Sequence, residues 1–201
     1  EQYAKRAVEL GQNILCSLEH GWQGKYHECR EIAIKYGLKF IFGTEAYWVK
    51  DRHEKDRTNC HIVLLAKNEN GRQWINEVLS TANEDGYYYR PRLDEELLFQ
   101  LPPNDVFVTS ACVAFWHYEP DYVENLVLRL HNHFKDNFML EIQAHNTDKQ
   151  KQLNARILEL SKKYGIQMIV GLDSHYIYPE QSVERDALLA ASDTHYDDED
   201  G

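Results

Sequence analysis

Residues 148–171, "DKQKQLNARILELSKKYGIQMIVG", set an amphipathic helical pattern that runs to a glycine directly before a short apolar run. A helix that feeds a short apolar strand is half of a β/α repeat, and the same alternation extends outward along the chain. Upstream lie the strand "FMLEIQ", a helix around "DYVENLVLRLHNHF", the strand "DVFVTSA" and a helix around "GRQWINEVLSTAN". Before these come the strands "CHIVLLA" and "LKFIFG" and the helix candidate "GKYHECREIAIKYG", with Ile32 and Tyr36 four apart and Gly37 as its stop. The strand "NILCSL" and a first helix containing "EQYAKRAVEL", closed by Gly11, open the chain, and a helix in "PEQSVERDALLAA" follows the central stretch. About six short strands alternating with helices predict an α/β fold with a mostly parallel sheet covered by helices. Because the chain opens on a helix, a barrel would lack its first strand unless that strand lies upstream of residue 1.

One segment breaks the rule. "EAYWVKDRHEKDRTNCHIVLLA" joins two strand-like runs through a charged loop with no helix between them. Connections that short suit antiparallel neighbours, whereas parallel strands need a long crossover. His61 is therefore expected to start its strand at the end of the sheet where Glu45 follows the preceding one.

The composition bounds the function classes. A chain of 201 residues suits one domain, read here as 1–201 with an acidic tail at about 196–201. The net charge of -11 argues against a protein that grips a nucleic-acid backbone by bulk electrostatics, but not against a site that meets nucleic acid only at a strand end. Cys16, Cys29, Cys60 and Cys112 are widely spaced, which reads as reduced thiols in a cytoplasmic protein. No apolar stretch approaches the roughly 18 residues of a membrane helix.

Reactive groups of α/β sheets gather beyond the carboxyl ends of the parallel strands. Those positions hold His20, Glu45, Cys112, Gln143 with His145, and Asp173 with His175, and the antiparallel strand adds His61. In an extended chain Asp173 and His175 point the same way and can converge on one ion; a polar surface turn is the other reading. Cys112 reads either as a thiolate ligand or as a small buried hydrophobe. Mixed imidazole, carboxylate and thiolate donors favour zinc, manganese or iron over calcium and magnesium. A carboxylate such as Glu45 can bridge two metals, as in sites that activate water beside a phosphate. His53, His117, His131, His133 and His195 lack a strand-end setting and are expected at the surface. In "DGYYYRPRLD", Arg90 and Arg92 could grip a phosphate while a tyrosine stacks on a base.

These segments carry a family likeness over nearly the whole chain. "SLEHG" resembles T-D-H-G, "GTEAYW" resembles G-x-E-x-Y, and "HIVLLAKNENG" resembles H-x-x-L-L-A-K-N-x-x-G, the most specific match. "GYYYRPRLD", "TSACVA", "MLEIQAH" and "GLDSHY" are similar to G-Y-Y-x-P-R-x-D, S-x-C, L-E-I-Q-x-H and N-D-x-H-Y. Together they resemble the PHP (polymerase and histidinol phosphatase) domain of bacterial or phage C-family DNA polymerase III alpha subunits. The resemblance implies a distorted (β/α)7 barrel, here with its first strand missing, and up to three metal ions in one cleft. It assigns His20 and His175 to one metal and Glu45, His61 and Cys112 to a second, with Glu45 bridging to a third that Asp173 also binds. His145 matches a position near the cleft. Glu19 and Leu172 depart from the family's aspartate and asparagine, and the family's opening H-x-H strand, with a further aspartate, has no counterpart before Glu1.

The resemblance implies a metal-dependent phosphoesterase, most concretely a 3′–5′ exonuclease or proofreading module. Its partners would be a DNA 3′ end or phosphate ester and the remaining polymerase domains or replisome subunits. A non-catalytic structural module and a stand-alone phosphatase of the histidinol-phosphate type are the alternatives. Polymerase-type motifs such as "HIVLLAKNENG" disfavour the stand-alone phosphatase.

Overall fold

Helix α1 (Gln2–Glu9) lays Ala4 and Ala7 against the sheet and leads to strand β1 (Ile14–His20). The computed structural model describes residues 1–191, so the acidic tail and His195 lie outside the described residues. Helix α2 (Tyr26–Lys35) crosses back to β2 (Lys39–Trp48), which pairs parallel with β1 so that His20 sits beside Glu45. Strand β3 (Cys60–Ala66) then returns antiparallel to β2, as the short charged connection predicts, with Tyr47 opposite His61.

Helix α3 (Glu69–Glu84) shows what the specific "KNENG" motif does. The Asn68 side chain caps the helix by accepting from the Gly71 N–H at 2.9 Å, and Asn68 and Asn70 both donate to the Asp105 carboxylate at 2.6 Å. Any side chain at Gly71 would collide with the Asp105 carbonyl. The motif is a structural clasp.

"GYYYRPRLD", expected as a loop, folds into a hairpin of β4 (Tyr87–Tyr88) and β5 (Arg90–Leu93), and β5 pairs parallel with the end of β2. Pro91 faces Tyr87 of the two-residue edge strand β4 and precedes the residues of β5 that pair with β2, which begin at Arg92. After the short helix α4 (Glu95–Leu98) come β6 (Val106–Thr109), a 3-10 turn over Val113–Trp116, α5 (Pro120–Phe134) and β7 (Phe138–Gln143). Helix α6 (Asp148–Tyr164) is capped by Thr147 and stopped by Gly165, β8 (Met168–Gly171) follows, and α7 (Ser182–Ala191) ends the described chain.

The sheet runs β4–β5–β2–β3–β6–β7–β8, with β1 also on β2, and curls into a half-barrel of α/β type. Eight strands are present where about six are expected, the hairpin accounting for both extra ones. The core fills the middle, where Trp48, Ile62, Leu64, Phe115, Phe134 and Phe138 are fully buried. Toward the ends cover thins, leaving Leu18 on β1, Val170 on β8 and Leu172 beyond it exposed. None of the four cysteines is in a disulfide, and no described helix is long and apolar enough to cross a membrane.

Candidate metal centre

Register alone assembles the centre. His20 ends β1 directly beside Glu45, and His61 lies diagonally across β3 on the same face of the sheet, because side chains two apart on a strand share a face. The Glu45 carboxylate therefore meets both imidazoles, at 3.2 Å from His20 Nε2 and 3.1 Å from His61 Nδ1. One donor atom from each of the three falls within 4.8 Å of the others. Cys112 adjoins them, its Sγ lying 3.4 Å from His61 Nδ1.

The electrostatics suit a cation. Burial works to raise the Glu45 pKa, but the His61 hydrogen bond and the electrostatic pull of the two imidazoles outweigh it and hold the carboxyl below its ordinary range. Burial lowers the His20 pKa, which keeps the imidazole neutral and able to ligate. The Cys112 thiol is pushed far above its usual range by burial and then by the Glu45 charge, so it stays protonated unless a metal ion reverses the balance. His61 Nε2 is buried without a hydrogen-bond partner among the described residues. Imidazole, carboxylate and thiol donors, together with one unsatisfied buried nitrogen, fit a transition-metal ion.

Backbone strain concentrates here. Of the four non-glycine residues with positive φ among the described residues, Ala111 (45°) precedes Cys112, Asp173 (45°) is itself a candidate ligand, and Tyr89 (62°) tips the adjacent hairpin. Gly21, at φ 70°, turns the chain immediately after His20, where an added side chain would press within 3.0 Å of Tyr47 and Pro91. The Tyr47 ring stacks on His20 at 5.8 Å and meets His61 edge-on at 5.3 Å, walling one side of the centre.

The remaining sequence-derived residues fall out differently. Strand β8 stops at Gly171, and Asp173 is left-handed, so the extended D-x-H geometry that would converge both side chains on one ion is not formed. His175 Nδ1 instead lies 2.8 Å from the Asp173 carbonyl and 3.5 Å from its carboxylate. Both are exposed, yet close enough for their charges to act on His20. His20 itself meets Glu45 and His61. Gln143 is buried and serves the structure, and His145 is exposed in the loop after β7, apart from the three-residue group.

Arg92 corrects its reading as a phosphate ligand. It is buried, and its guanidinium is spent on the carbonyls of Gly86, Arg52, Glu54 and Asp56 at 2.5–2.9 Å. Arg90 stays exposed, 5.4 Å from the Tyr47 ring centre and so beside the site. Among the histidines expected at the surface, His53 and His117 are exposed, whereas His131 and His133 are half-buried. His133 packs on Phe99 and Phe134 and reaches the Leu101 carbonyl at 3.0 Å, because its place on α5 adjoins the buried face.

The residue that sequence reading misses is Glu141. Its carboxylate accepts from Thr109 Oγ1 at 2.7 Å and Gln143 Nε2 at 3.1 Å. Alternation in "FMLEIQ" was the available signal, since it sets Glu141 on the face that also holds Gln143. Burial raises its pKa, reinforced by the charges of Glu45 and Asp173. A raised carboxyl pKa means that stability is full below the unfolded value of 4.5 and is lost as pH rises through the folded value. Metal-free Glu141→Gln should therefore melt higher than wild type at pH 7, with the gain vanishing below pH 4.5; thermal melts across that range read it, and a constant difference would contradict the assignment.

The family model described as "PHP domain" matches residues 1–145. This chain belongs to the PHP domain family. The PHP chain is 30% identical over 207 residues to DNA polymerase III subunit alpha of Aquifex aeolicus, covering 94% of this chain and 18% of that protein. It is 29% identical to the same subunit of Treponema pallidum, again over 94% of this chain and 17% of the relative. The chain thus spans under a fifth of the length of these curated relatives. Among solved structures, an amidohydrolase from Chromobacterium violaceum superposes with TM-score 0.54 at 13% identity, over 89% of this chain and 82% of that one. A protein assigned as a metal-dependent phosphoesterase from Bifidobacterium adolescentis gives the same score and identity over 88% and 82%. At that identity the likeness establishes the shared PHP-type fold.

Proposed function

We propose that this PHP domain is a metal-dependent phosphoesterase that acts as a 3′–5′ exonuclease within a DNA polymerase III alpha-like protein. The observation that carries the reading is the His20–Glu45–His61 group, three ligating side chains gathered within 4.8 Å on one sheet face beside Cys112. These residues would hold zinc, manganese or iron, with Asp173 and His175 as further ligands at the rim. A metal held there supplies a water-derived nucleophile and neutralises charge on the phosphate.

The chain's own groups do the rest. Glu45 contributes a fixed negative charge with little exposure to solvent, and Tyr47 closes one flank of the centre and limits water on that side. Arg90, exposed beside that wall, is placed to offset charge on a phosphodiester. The net charge of -11 argues for contact at a strand end rather than along a duplex.

The test uses the natural protein, with whatever residues precede Glu1, loaded with manganese or zinc and given single-stranded DNA. Wild type is expected to release mononucleotides from the 3′ end, and His61→Ala to do so at least about 100-fold more slowly, since even residues that only orient a ligand typically matter by about 10–100-fold. Equal release by the two proteins sinks the exonuclease reading. Faster hydrolysis of histidinol phosphate than of DNA moves the assignment to a small-molecule phosphatase. Intact protein with no hydrolysis of either leaves a structural module.

A further inference from the structure

A cleft of about 240 Å³ opens between loop 49–59 and the β4–β5 hairpin, where Arg57, Tyr88, Tyr89 and Arg90 face Asp56 and Asn59, the Asp56 carboxylate being taken up by the Thr58 N–H and the Tyr118 hydroxyl. It adjoins the metal centre through a single side chain, because Arg90 covers Tyr47 and Tyr47 contacts His20 and His61.

Two features of this cleft lack a structural explanation. The first is its charge. Arg6, Arg30, Arg52, Arg72 and Arg129 each pair with a carboxylate, whereas Arg57 and Arg90 are exposed with no carboxylate partner among the described residues. In a chain of net charge -11, carboxylates are plentiful, so two such cations on one cleft leave it suited to an anion. The second is Tyr89. It tips the hairpin at φ 62°, where a bulky residue is strained and glycine would be the easy choice, and the residue is 61% exposed. Arg57 fixes the ring, lying 4.2 Å from its centre and bonding its hydroxyl at 2.5 Å. An exposed aromatic platform held in a strained position beside guanidinium groups that no carboxylate neutralises is the pairing that single-stranded nucleic acid uses, a base on the ring and a phosphate on the arginine. The cleft is smaller than the roughly 300–1,000 Å³ of drug-sized pockets, which limits it to about one nucleotide unit.

We propose that this cleft is a subsite for one unpaired nucleotide of the strand whose phosphodiester lies at the metal centre, with its base on Tyr89 and its phosphate between Arg57 and Arg90. The role as a substrate subsite rests on the phosphoesterase reading; the binding does not. The test measures binding of the 201-residue chain to a fluorescein-labelled oligothymidylate 12-mer and to an abasic 12-mer, by anisotropy in EDTA and low salt, so that no hydrolysis occurs.

Wild type is expected to prefer the thymidylate strand by about tenfold, within the range of one base–aromatic stack. Tyr89→Gly should abolish that preference without lowering the melting temperature, because glycine accepts the left-handed turn. Arg57→Ala should reduce the slope of log affinity against log salt by about 0.7, the loss of one single-strand phosphate contact. The subsite is overturned if wild type binds both strands equally, or if both variants bind thymidylate like wild type. Metal-loaded wild type that cleaves DNA while the variants bind normally loses the subsite and keeps the phosphoesterase. Variant-sensitive binding without metal-dependent cleavage does the reverse.

Discussion

Glu45→Ala, equilibrated with manganese or zinc and then dialysed, is expected to carry less than a tenth of the wild-type metal and to lose at least about 100-fold in hydrolysis. The expectation follows from where Glu45 stands. It touches His20, His61 and, through a side-chain hydrogen bond, Cys112, and its side chain is only 8% exposed. Deleting it removes a donor and also the only buried negative charge described between the two imidazoles. Substitutions that merely misorient a ligand typically cost about 10–100-fold in affinity or activity, so loss of a central ligand should exceed that range. Glu45→Gln sharpens the test, because it keeps the volume but puts an amide where an anion faced two rings. Elemental analysis per chain reads both variants, and a stoichiometry matching wild type would remove Glu45 from the centre whatever happened to activity.

How much of this was legible from sequence depends on which force placed each residue. Strand-end positions set by the β/α alternation were readable, because hydrophobic period and glycine stops fix where a parallel strand finishes. The antiparallel β3 was readable too, since a loop without a helix cannot make a parallel crossover. Those two facts are enough to bring His20, Glu45 and His61 together. What sequence could not supply was local backbone conformation. Asp173 falls just past the end of β8 in a left-handed turn, so alternation no longer governs where it and His175 point. Arg92 and Arg90 look alike in "YRPR", and alternation gives them one face of β5, but Arg92 is buried under loop 49–59 and holds four carbonyls, whereas Arg90 opens the strand at the hairpin tip and stays exposed beside Tyr47. Glu141 escaped notice because a carboxylate in an apolar strand carries no motif of its own.

The most specific sequence signal was also the least catalytic beyond its histidine. In "HIVLLAKNENG", His61 belongs to the centre, while Asn68, Asn70 and Gly71 clasp Asp105 at the far end of β3. Motif strength therefore measured how tightly the fold constrains these residues as much as what they do chemically.

Asp94→Ala is expected to cost about 3–5 kcal/mol of folding stability. Asp94 accepts from Arg52 Nη1 with both oxygens at 2.8 Å, and both side chains are less than 10% exposed. Removing one partner of a buried pair strands the other charge, which is the origin of that penalty. Asp94 is also the N-cap of α4, through the Leu97 N–H at 3.3 Å, worth about 1 kcal/mol more. Asp85 and Glu96 still reach Arg52, but their side chains are 47% and 68% exposed, so they soften the loss without replacing a buried partner. Urea unfolding should show the shift in midpoint with little change in slope. The double variant Arg52→Met with Asp94→Leu should recover much of it, because replacing both ions leaves no buried charge unpaired. A loss below about 1 kcal/mol in Asp94→Ala would mean that solvent reaches Arg52 freely. The consequence extends to the cleft, since the carbonyls of Arg52, Glu54 and Asp56 are what Arg92 grips, and loop 49–59 carries Arg57. Asp94→Ala should accordingly weaken single-strand binding at temperatures where the protein is still folded, although Asp94 does not line the cleft.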